Sequence, residues 1–266
     1  MSRDHYDGAA SGWAHGATLV YAPIAGQLVA RTPVALTGRR VLDVGAGTGV
    51  SEAPMRAAGA AKIVGVDLSP DMLAWNRASR PPAVVADVMR LPFRNESFDV
   101  AVAAFVLNHL TDPVAGLVEL ARVSRPGGGL LATVFANAAH SESRDAVDEV
   151  AQARGWSPPA WYLDLKEHAT PLLGSASSMT RSAVAAGLVD VEVEEDDVDV
   201  GVSDPRALVD YRFGQAQFAD WVAALGPSAE TAVRAAAIAA IGSAMKPYRP
   251  RVVFLAARVA LGDSRT

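Results

Sequence analysis

The feature that most constrains this chain is an apolar run that ends in three glycines at alternate positions. The run covers residues 41–49 and is followed by an apolar-periodic segment typical of a helix. Strand, glycine turn and helix in this order form a cradle of nucleotide size, because glycines let the backbone turn sharply and approach a ligand closely. The helix N-terminus adds free N–H groups and the positive end of a dipole. A glycine turn alone is equally typical of α/β proteins without a nucleotide, so the following segments decide its meaning.

The segments around this turn alternate between strand and helix patterns. Predicted helices at 51–58, 70–77 and 113–123 lie between predicted strands at 40–44, 62–66, 83–86, 98–104 and 128–135. This alternation is typical of right-handed βαβ units and of a parallel sheet with helices on both faces. Beyond residue 137 the pattern becomes irregular, with predicted helices at 146–153, 179–186, 204–225 and 228–244 and strands at 189–200 and 251–259. The chain is therefore predicted to be α/β, with a doubly wound parallel sheet.

Composition favours one globular domain that acts on a small molecule. With 266 residues and a formal net charge of −5, the chain has room for one large domain and no general basic surface for nucleic acid. The absence of cysteine excludes disulfides, thiolate metal sites and cysteine nucleophiles. No apolar run is long enough to span a bilayer, and the first residues lack a signal pattern. We expect a cytoplasmic monomer or homodimer without a metal, a nucleic-acid partner or a membrane partner.

Acidic residues follow two neighbouring predicted strands. Along the chain, Asp67 lies at the end of the second predicted strand, and Asp87 follows the third predicted strand. Because ligands of open parallel sheets bind outside the carboxyl ends of the strands, both carboxylates are expected beside the glycine turn. Asp67 can accept hydrogen bonds from both hydroxyls of a ribose, and Asp87 can accept one from the exocyclic amine of adenine. The sequence therefore predicts a nucleoside site at this edge of the sheet.

Five short motifs in register resemble those of a known family. They cover roughly residues 38 to 135 and comprise the glycine motif at 41–49, the ribose acid at 64–67, the steps at 86–88 and 91–93, the strand start at 97–100 and the turn at 122–128. The chain is similar to class I S-adenosylmethionine-dependent methyltransferases, in the small-molecule branch that includes ubiquinone- and menaquinone-biosynthesis-type and bacterial natural-product enzymes. The resemblance implies a Rossmann-like sheet of seven mostly parallel strands, with the last strand antiparallel.

The resemblance also implies which residues bind S-adenosylmethionine. The glycine turn would lie against the methionine moiety and the ribose, Asp67 would hold the ribose hydroxyls, and the backbone near Ala104 would meet the methionine amino group. The implied cofactor-binding residues are Gly45, Ala46, Gly47, Gly49, Asp67, Leu68, Met72, Asp87, Val88, Ala104 and Phe105.

Two further patterns narrow the function. The glycines form Gly-x-Gly-x-Gly rather than the Gly-x-Gly-x-x-Gly of nicotinamide enzymes, and no Lys-Ser/Thr pair follows as in a phosphate-binding loop. Enzymes that methylate the amino group of adenine or a glutamine amide resemble one another in an Asn/Asp-Pro-Pro-Tyr/Phe step after the fourth strand. Residues 103–109 read Ala-Ala-Phe-Val-Leu-Asn-His instead. These differences favour a small-molecule acceptor.

Three side chains are candidates for catalytic roles: His109, Tyr21 and Tyr6. His109 follows the fourth strand and could deprotonate a hydroxyl or orient a substrate; the alternative is a structural histidine in the following turn. Tyr6 and Tyr21 belong to an N-terminal segment that often folds over the cofactor in the resembled family, and each is alternatively a packing residue. Methyl transfer from a sulfonium needs a base only if the nucleophile carries a proton, so the chemistry leaves these roles open.

Aromatic side chains concentrate in the second half of the chain, although the whole chain is only 6% aromatic. They form either a pocket for a flat or apolar acceptor or the core that cap helices need. The predicted substrate-binding residues are Trp161, Tyr162, Tyr211, Arg212, Gln215 and Phe218.

We predict a single methyltransferase domain over residues 1–266. An N-terminal helical lid at 1–38 precedes a cofactor-binding core at 38–135, cap inserts at 136–187 and 201–245, and a last strand at 251–259. The predicted activity is methyl transfer from S-adenosylmethionine to O, C or N of a small aromatic or apolar metabolite, in secondary metabolism or on a quinone-like acceptor. The alternative is a non-catalytic protein that binds S-adenosylmethionine as a sensor or scaffold subunit.

Overall fold

The computed structural model describes residues 3–137 and 140–261, with only the backbone described at residues 3 and 4. Seven strands in this part of the chain form one sheet. They are β1 (Arg40–Val44), β2 (Lys62–Asp67), β3 (Ala83–Val85), β4 (Phe98–Ala104), β5 (Ser124–Phe135), β6 (Leu188–Asp197) and β7 (Arg251–Val259).

The strands lie in the order β3-β2-β1-β4-β5-β7-β6. The pairs among β1 to β5 are parallel, whereas β7 runs antiparallel to both β5 and β6. The order reverses at β1, because β2 lies on one side of it and β4 on the other. A switch point of this kind opens a crevice at the carboxyl ends of the strands, where open parallel sheets bind ligands. The prediction of seven mostly parallel strands with an antiparallel last strand is confirmed.

Helices cover both faces of the sheet and form a cap at its end. They are α1 (Ala10–Gly12), α2 (Thr18–Ala30), α3 (Glu52–Ala57), α4 (Pro70–Ala74), α5 (Pro113–Val123), α6 (Glu142–Gln152), α7 (Ala160–Asp164), α8 (Thr170–Leu173), α9 (Ala176–Ala185), α10 (Pro205–Phe213), α11 (Ala216–Leu225) and α12 (Pro227–Ile241). The starts of α4 and α5 follow local rules. The side chains of Ser69 and Asp112 cap these helices by accepting N–H bonds, and each helix has proline at its first position.

The central strand β4 shows why the sheet is covered on both faces. All seven of its residues are buried. Because side chains alternate across a strand, Val100 and Val102 pack on the face covered by α2, whereas Ala101 and Ala103 pack on the face covered by α5. A strand buried on both faces reads as a continuous apolar run, and β4 has that pattern.

The N-terminal helices pack backbone to backbone against the cap. A π-helical turn at Trp13–Ala17 connects α1 to α2, so the predicted helical N-terminal region is present. A Cβ placed on Gly16 would lie 2.0 Å from the carbonyl oxygen of Asp210, and one placed on Gly214 would lie 2.4 Å from that of Gly12. No larger residue fits at Gly16 or Gly214 without moving one backbone away from the other.

Several predicted segments have other bounds in the structure; for example, the strand predicted at 128–135 begins at Ser124. The helix predicted at 70–77 ends at Ala74, because Trp75 is extended and Asn76 adopts a left-handed conformation with φ 50°. The single helix predicted at 204–225 is two helices, since extended backbone at Gln215 separates α10 from α11. The stretch between the helices predicted at 146–153 and 179–186, for which no element is predicted, contains α7, which continues into a π-helical turn at Leu165–Ala169.

The cap has a core of its own. It packs α6, α10, α11 and α12 around stacked rings of Trp156 and Phe218, whose centroids are 4.0 Å apart. The indole N–H of Trp156 donates to the carbonyl oxygen of Gln217, so the buried ring leaves no unpaired donor. This core holds α10 and its polar side chains in a defined position beside the carboxyl ends of the strands.

Candidate functional site

The glycine turn after β1 requires its glycines for steric reasons. Gly45 has φ 68°, and a Cβ there would lie 2.6 Å from the Cβ of Val106. Gly49 has φ 101°, and a Cβ there would lie 2.9 Å from the carboxylate of Glu52. Positive φ with this crowding excludes ordinary side chains, so the backbone itself forms the floor of the crevice.

Asp67 is bound to the same turn. One carboxylate oxygen accepts the N–H of Gly47 at 2.8 Å, and the other accepts the N–H of Ser69 at 2.9 Å. Burial raises the pKa of Asp67, and the two backbone donors act against that rise. Each carboxylate oxygen can accept further bonds, so Asp67 keeps the capacity to hold a pair of hydroxyls while it positions the turn.

Asp87 and Val88 form the opposite side of the crevice. One carboxylate oxygen of Asp87 accepts the N–H of Met89 at 2.9 Å and so caps a short helical turn. Val88 follows with a buried side chain. A planar ring between Val88 and Leu68 would therefore have an acceptor at its edge.

Arg80 supports the turn from behind, and the sequence analysis did not identify it. Its guanidinium donates to Glu52 at 2.8 Å, to the carbonyl oxygen of Gly47 at 2.8 Å and to that of Met72 at 3.1 Å. The side chain of Arg80 is only 5% exposed. It thus connects the glycine turn, α3 and α4 through one buried cation, and an arginine in an irregular segment gives no sequence signal for that role.

Asp43 is a buried carboxyl group next to this network. It lies on β1 and is 1% exposed, and neither of its oxygens has a hydrogen-bond partner among the described residues. Burial raises the pKa of Asp43 to about 8, the negative charges of Glu52 and Asp67 add to the rise, and Arg80 opposes it. Asp43 is therefore mainly protonated near neutral pH.

A cavity of about 800 Å3 lies above the turn. Ten of the eleven predicted cofactor-binding residues line it, and Gly49 lies outside the lining. The ten are Gly45, Ala46, Gly47, Asp67, Leu68, Met72, Asp87, Val88, Ala104 and Phe105. We call this space the first cavity.

A second cavity of about 740 Å3 adjoins the first. Four residues line both and therefore form a common wall, namely Tyr6, Trp13, Tyr21 and His109. The three predicted catalytic side chains all belong to this wall. Five of the six predicted substrate-binding residues line the second cavity, and these are Trp161, Tyr162, Tyr211, Arg212 and Gln215.

Phe218 lies away from both cavities. It is fully buried in the cap core, where it stacks on Trp156 and lies beneath the guanidinium of Arg212 at 4.9 Å. The second cavity instead includes Arg144, Lys166 and Tyr248, which the sequence analysis did not select. Tyr248 follows α12 in an irregular segment, so no periodic pattern marked it.

His109 and Tyr6 form a hydrogen bond in the common wall. The hydroxyl of Tyr6 lies 3.2 Å from Nε2 of His109. Burial, with a smaller electrostatic contribution from His5, lowers the pKa of His109 to about 4. Burial also raises the pKa of Tyr6. Both groups are therefore neutral near pH 7, and the tautomer of His109 decides which of the two donates in this hydrogen bond.

A buried polar network lies on the far side of the second cavity. Arg212 donates to both carboxylate oxygens of Asp148, at 2.7 and 2.6 Å, and to the amide oxygen of Gln215. The amide nitrogen of Gln215 donates to the hydroxyls of Tyr21 at 3.3 Å and Tyr211 at 3.5 Å. The network fixes two phenol groups at the cavity, so it presents hydroxyls and ring faces together.

Within residues 3–137 and 140–261, no three His, Asp or Glu side chains are grouped so that they could hold a metal ion. Within the same ranges, no helix combines the length and apolar character needed to cross a membrane.

Comparison with known proteins identifies the class of enzyme to which this chain is similar. Residues 42–132 match the family model described as a methyltransferase domain. A demethylmenaquinone methyltransferase of Mycobacterium sp. (strain KMS) is 48% identical over 98 residues, which cover 37% of this chain and 42% of the relative. A demethylmenaquinone methyltransferase of Mycolicibacterium paratuberculosis (strain ATCC BAA-968 / K-10) is 36% identical over 160 residues, which cover 57% of this chain and 69% of the relative.

The fold comparison extends over the whole chain. A chain from the complex between the Haloferax volcanii Trm112 methyltransferase activator and a methyltransferase aligns with a TM-score of 0.61 at 22% identity, covering 100% of both chains. Fold, site and relatives agree: the chain belongs to the class I S-adenosylmethionine-dependent methyltransferases of the quinone-biosynthesis type. The chain spans less than half the length of the first curated relative that it matches.

Proposed function

We propose that the protein transfers a methyl group from S-adenosylmethionine to a small aromatic metabolite held in the second cavity. The observation that carries this proposal is the common wall of Tyr6, Trp13, Tyr21 and His109 between two cavities of similar size. A donor in one cavity and an acceptor in the other would meet at this wall. Such an arrangement supplies proximity and excludes water, and both accelerate a displacement reaction.

The first cavity fits the cofactor. The backbone at Gly45 and Gly47 lines the cavity, Asp67 can bind two ribose hydroxyls, and the crevice between Leu68 and Val88 suits an adenine ring. When bound, S-adenosylmethionine supplies a methyl group activated by a sulfonium. The residues of the chain then have to bind, orient and shield the reactants.

The second cavity fits an aromatic acceptor. The rings of Tyr211 and Tyr248 lie 5.6 Å apart at 34°, and Tyr21 lies 6.3 Å from Tyr211. Ring faces of this kind pack on a flat molecule, and their hydroxyls bind its oxygens. The relatives named demethylmenaquinone methyltransferases act on a quinone precursor, which is also an aromatic molecule with ring oxygens.

The low pKa of His109 assigns it an orienting role in this proposal. A phenol has a pKa of about 10, so moving its proton to an imidazole with a pKa of about 4 costs about 8 kcal/mol before methyl transfer begins. His109 is better suited to hold Tyr6, and through it the N-terminal helices, against the common wall. An acceptor that is already anionic, or an electron-rich ring carbon, fits this site without a strong base.

The proposal is tested in two stages. Calorimetry first measures binding of S-adenosylmethionine and S-adenosylhomocysteine to the parent protein, to Asp67→Asn and to the exposed control Asp220→Asn. We expect Asp67→Asn to weaken binding about 10- to 100-fold, because charge-assisted hydrogen bonds are lost, and the control to match the parent. Mass spectrometry then detects methylated products among phenols, naphthols, hydroquinones, indoles and aliphatic amines.

The two stages separate the possible failures. Absence of binding to either cofactor form would contradict the whole proposal. Binding without turnover on any acceptor would instead support the alternative of a non-catalytic cofactor-binding protein, which no observation on the described residues favours. Turnover of aliphatic amines alone would contradict the aromatic acceptor.

A further inference from the structure

Gln215 is buried, and its neighbours fix the orientation of its amide group. Arg212 only donates hydrogen bonds, so the atom of Gln215 that it contacts is the amide oxygen. The amide nitrogen of Gln217 lies 3.3 Å from the same oxygen. The amide nitrogen of Gln215 therefore faces the opposite side, where it contacts the hydroxyls of Tyr21 and Tyr211.

This orientation sets the direction of both hydrogen bonds to the tyrosines. An amide N–H only donates, so the hydroxyl oxygens of Tyr21 and Tyr211 are the acceptors, at 3.3 and 3.5 Å from the nitrogen of Gln215. Each hydroxyl also has a hydrogen of its own to donate. Within residues 3–137 and 140–261, neither hydroxyl has a second hydrogen-bond partner, so both hydrogens remain available to a ligand.

The two hydroxyls lie close together at the second cavity. Both contact the same amide nitrogen, the ring centroids of Tyr21 and Tyr211 are 6.3 Å apart, and both residues line the cavity. Tyr21 also belongs to the common wall and so lies next to the first cavity. Burial raises the pKa of both phenols, which therefore stay protonated near neutral pH. The second cavity thus contains a pair of O–H donors near the common wall.

The charge of Arg212 strengthens this pair of donors. Its guanidinium donates to the amide oxygen of Gln215, and the amide nitrogen of Gln215 donates to both hydroxyls. Hydrogen bonds in such a chain polarise one another, so each hydroxyl becomes a stronger donor. Asp148 accepts two bonds from Arg212 and balances its charge. Fixed donors in a site that excludes water stabilise negative charge on a bound oxygen.

We propose that the methyl acceptor binds as a phenolate or enolate whose charged oxygen accepts hydrogen bonds from Tyr21 and Tyr211, and that Gln215 is the positioning residue that directs both hydroxyls. This proposal rests on the proposed function, because it identifies the class of acceptor for the same site. The acceptor releases its proton to water as it binds, and hydrogen bonds to the charged oxygen offset that cost. His109, with its pKa of about 4, then has no proton to accept.

The test measures binding rather than turnover. Protein saturated with S-adenosylhomocysteine is titrated by calorimetry at pH 8 with 4-nitrophenol and 4-nitro-1-naphthol, which are mainly anions at this pH, and with the methyl ether of each. The ether keeps the ring and the oxygen but cannot carry the charge. We expect at least one phenolate to bind about tenfold or more tightly than its ether, because hydrogen bonds to a charged oxygen are the stronger ones.

The variant Gln215→Glu reverses the two hydrogen bonds. A carboxylate only accepts, so both tyrosine hydroxyls turn toward it and no longer donate to a ligand. We expect the preference for the phenolate to disappear, with the ether affinity within about twofold of the parent. Tyr21→Phe and Tyr211→Phe each remove one donor and reduce the preference by a smaller factor.

The absorption band of the bound anion reports the donors separately from the affinity. Hydrogen bonds to the oxygen of a nitrophenolate move its band to shorter wavelength than in an apolar pocket without donors. We therefore expect the band of the bound anion to move to longer wavelength in Tyr21→Phe and Tyr211→Phe than in the parent. A loss of packing alone would weaken phenolate and ether equally and leave the band in place, which would overturn the proposal.

A matched control makes the same change elsewhere. Gln152→Glu alters an exposed glutamine at the end of α6 that lines neither cavity, and it is expected to keep the full preference for the phenolate. Equal binding of phenolates and ethers by the parent would overturn this inference, as would failure of both phenolates to bind or an unchanged preference in Gln215→Glu. Each of these results would leave the proposed function intact. Loss of S-adenosylhomocysteine binding by the parent protein would contradict the proposed function itself.

Discussion

Replacing Arg80 tests whether one buried cation holds the cofactor turn in place. Arg80 is 5% exposed and its ion-pair partner Glu52 is 14% exposed, with their atoms 2.8 Å apart. The guanidinium also donates to the carbonyl oxygens of Gly47 and Met72. In Arg80→Met all three contacts are lost, and Glu52 stays buried near the carboxyl groups of Asp43 and Asp67.

The magnitude follows from the burial of the charge. Removing one partner of a buried ion pair costs about 3–5 kcal/mol, because the other charge is left uncompensated. For a domain of this size each kcal/mol lowers the melting temperature by about 2–4 °C, so the expected decrease is about 6–20 °C. The affinity for S-adenosylhomocysteine is expected to fall about tenfold, since two carbonyl oxygens of the cradle lose their donor.

Urea unfolding and calorimetry measure these two quantities. The double variant Arg80→Met with Glu52→Gln is expected to recover part of the stability, because the uncompensated carboxylate is gone. Arg249→Met breaks an exposed ion pair with Asp199 and is the control, with little expected loss of stability because exposed ion pairs are screened by solvent. The reasoning is refuted if Arg80→Met is no less stable than this control.

Three further perturbations address other contacts. Burial raises the pKa of Asp43 to about 8, so the free energy of unfolding falls by about 1.4 kcal/mol per pH unit as pH rises from about 4 to 8. Asp43→Asn should abolish this pH dependence, which urea unfolding at pH 5 and pH 8 measures. Gly45→Ala should cost about 2 kcal/mol or more, because φ is 68° and its Cβ would meet Val106. Adding Val106→Ala should restore little of this loss in thermal unfolding, because alanine keeps the Cβ that lies 2.6 Å away. Arg212→Met should cost about 3–5 kcal/mol by leaving Asp148 unpaired, and adding Asp148→Leu should restore much of the loss in denaturant titrations. If Arg212→Met and the double variant were equally stable, the buried charge would not be the cause.

The sequence was sufficient to predict those parts of the site that lie within a single short segment of the chain. The glycine turn, Asp67 and Asp87 each stand directly at the end of a strand, and the strand order alone brings those ends together. The same locality governs the caps at Ser69 and Asp112, whose side chains accept N–H bonds from the first turn of the helix that follows each of them. A local pattern suffices wherever the neighbouring residues in the chain are also the neighbours in space.

The acceptor side depends on tertiary packing that no local pattern encodes. Arg144 and Tyr248 lie more than 100 residues apart, and both line the second cavity only because the cap core places α6 and the segment after α12 side by side. Phe218 has the same aromatic character and helical context as Tyr211, yet it faces Trp156 in the core. Helical spacing alone does not indicate which face of α11 packs on the core and which is open to a cavity.

The backbone contact at Gly16 and Gly214 has a consequence for chimeric enzymes. With the exception of Asn108 and the wall residues, the second cavity is lined by residues from 135 onward, so exchanging this half with a homologue is a direct route to a new acceptor range. At Gly16 the two main chains leave no room for a methyl group, so a graft whose α10 differed in pitch or residue size would push the N-terminal helices off the sheet. The unit to exchange is therefore the N-terminal helices together with the cap, both taken from the same homologue. The half of the protein that binds the methyl donor stays unchanged.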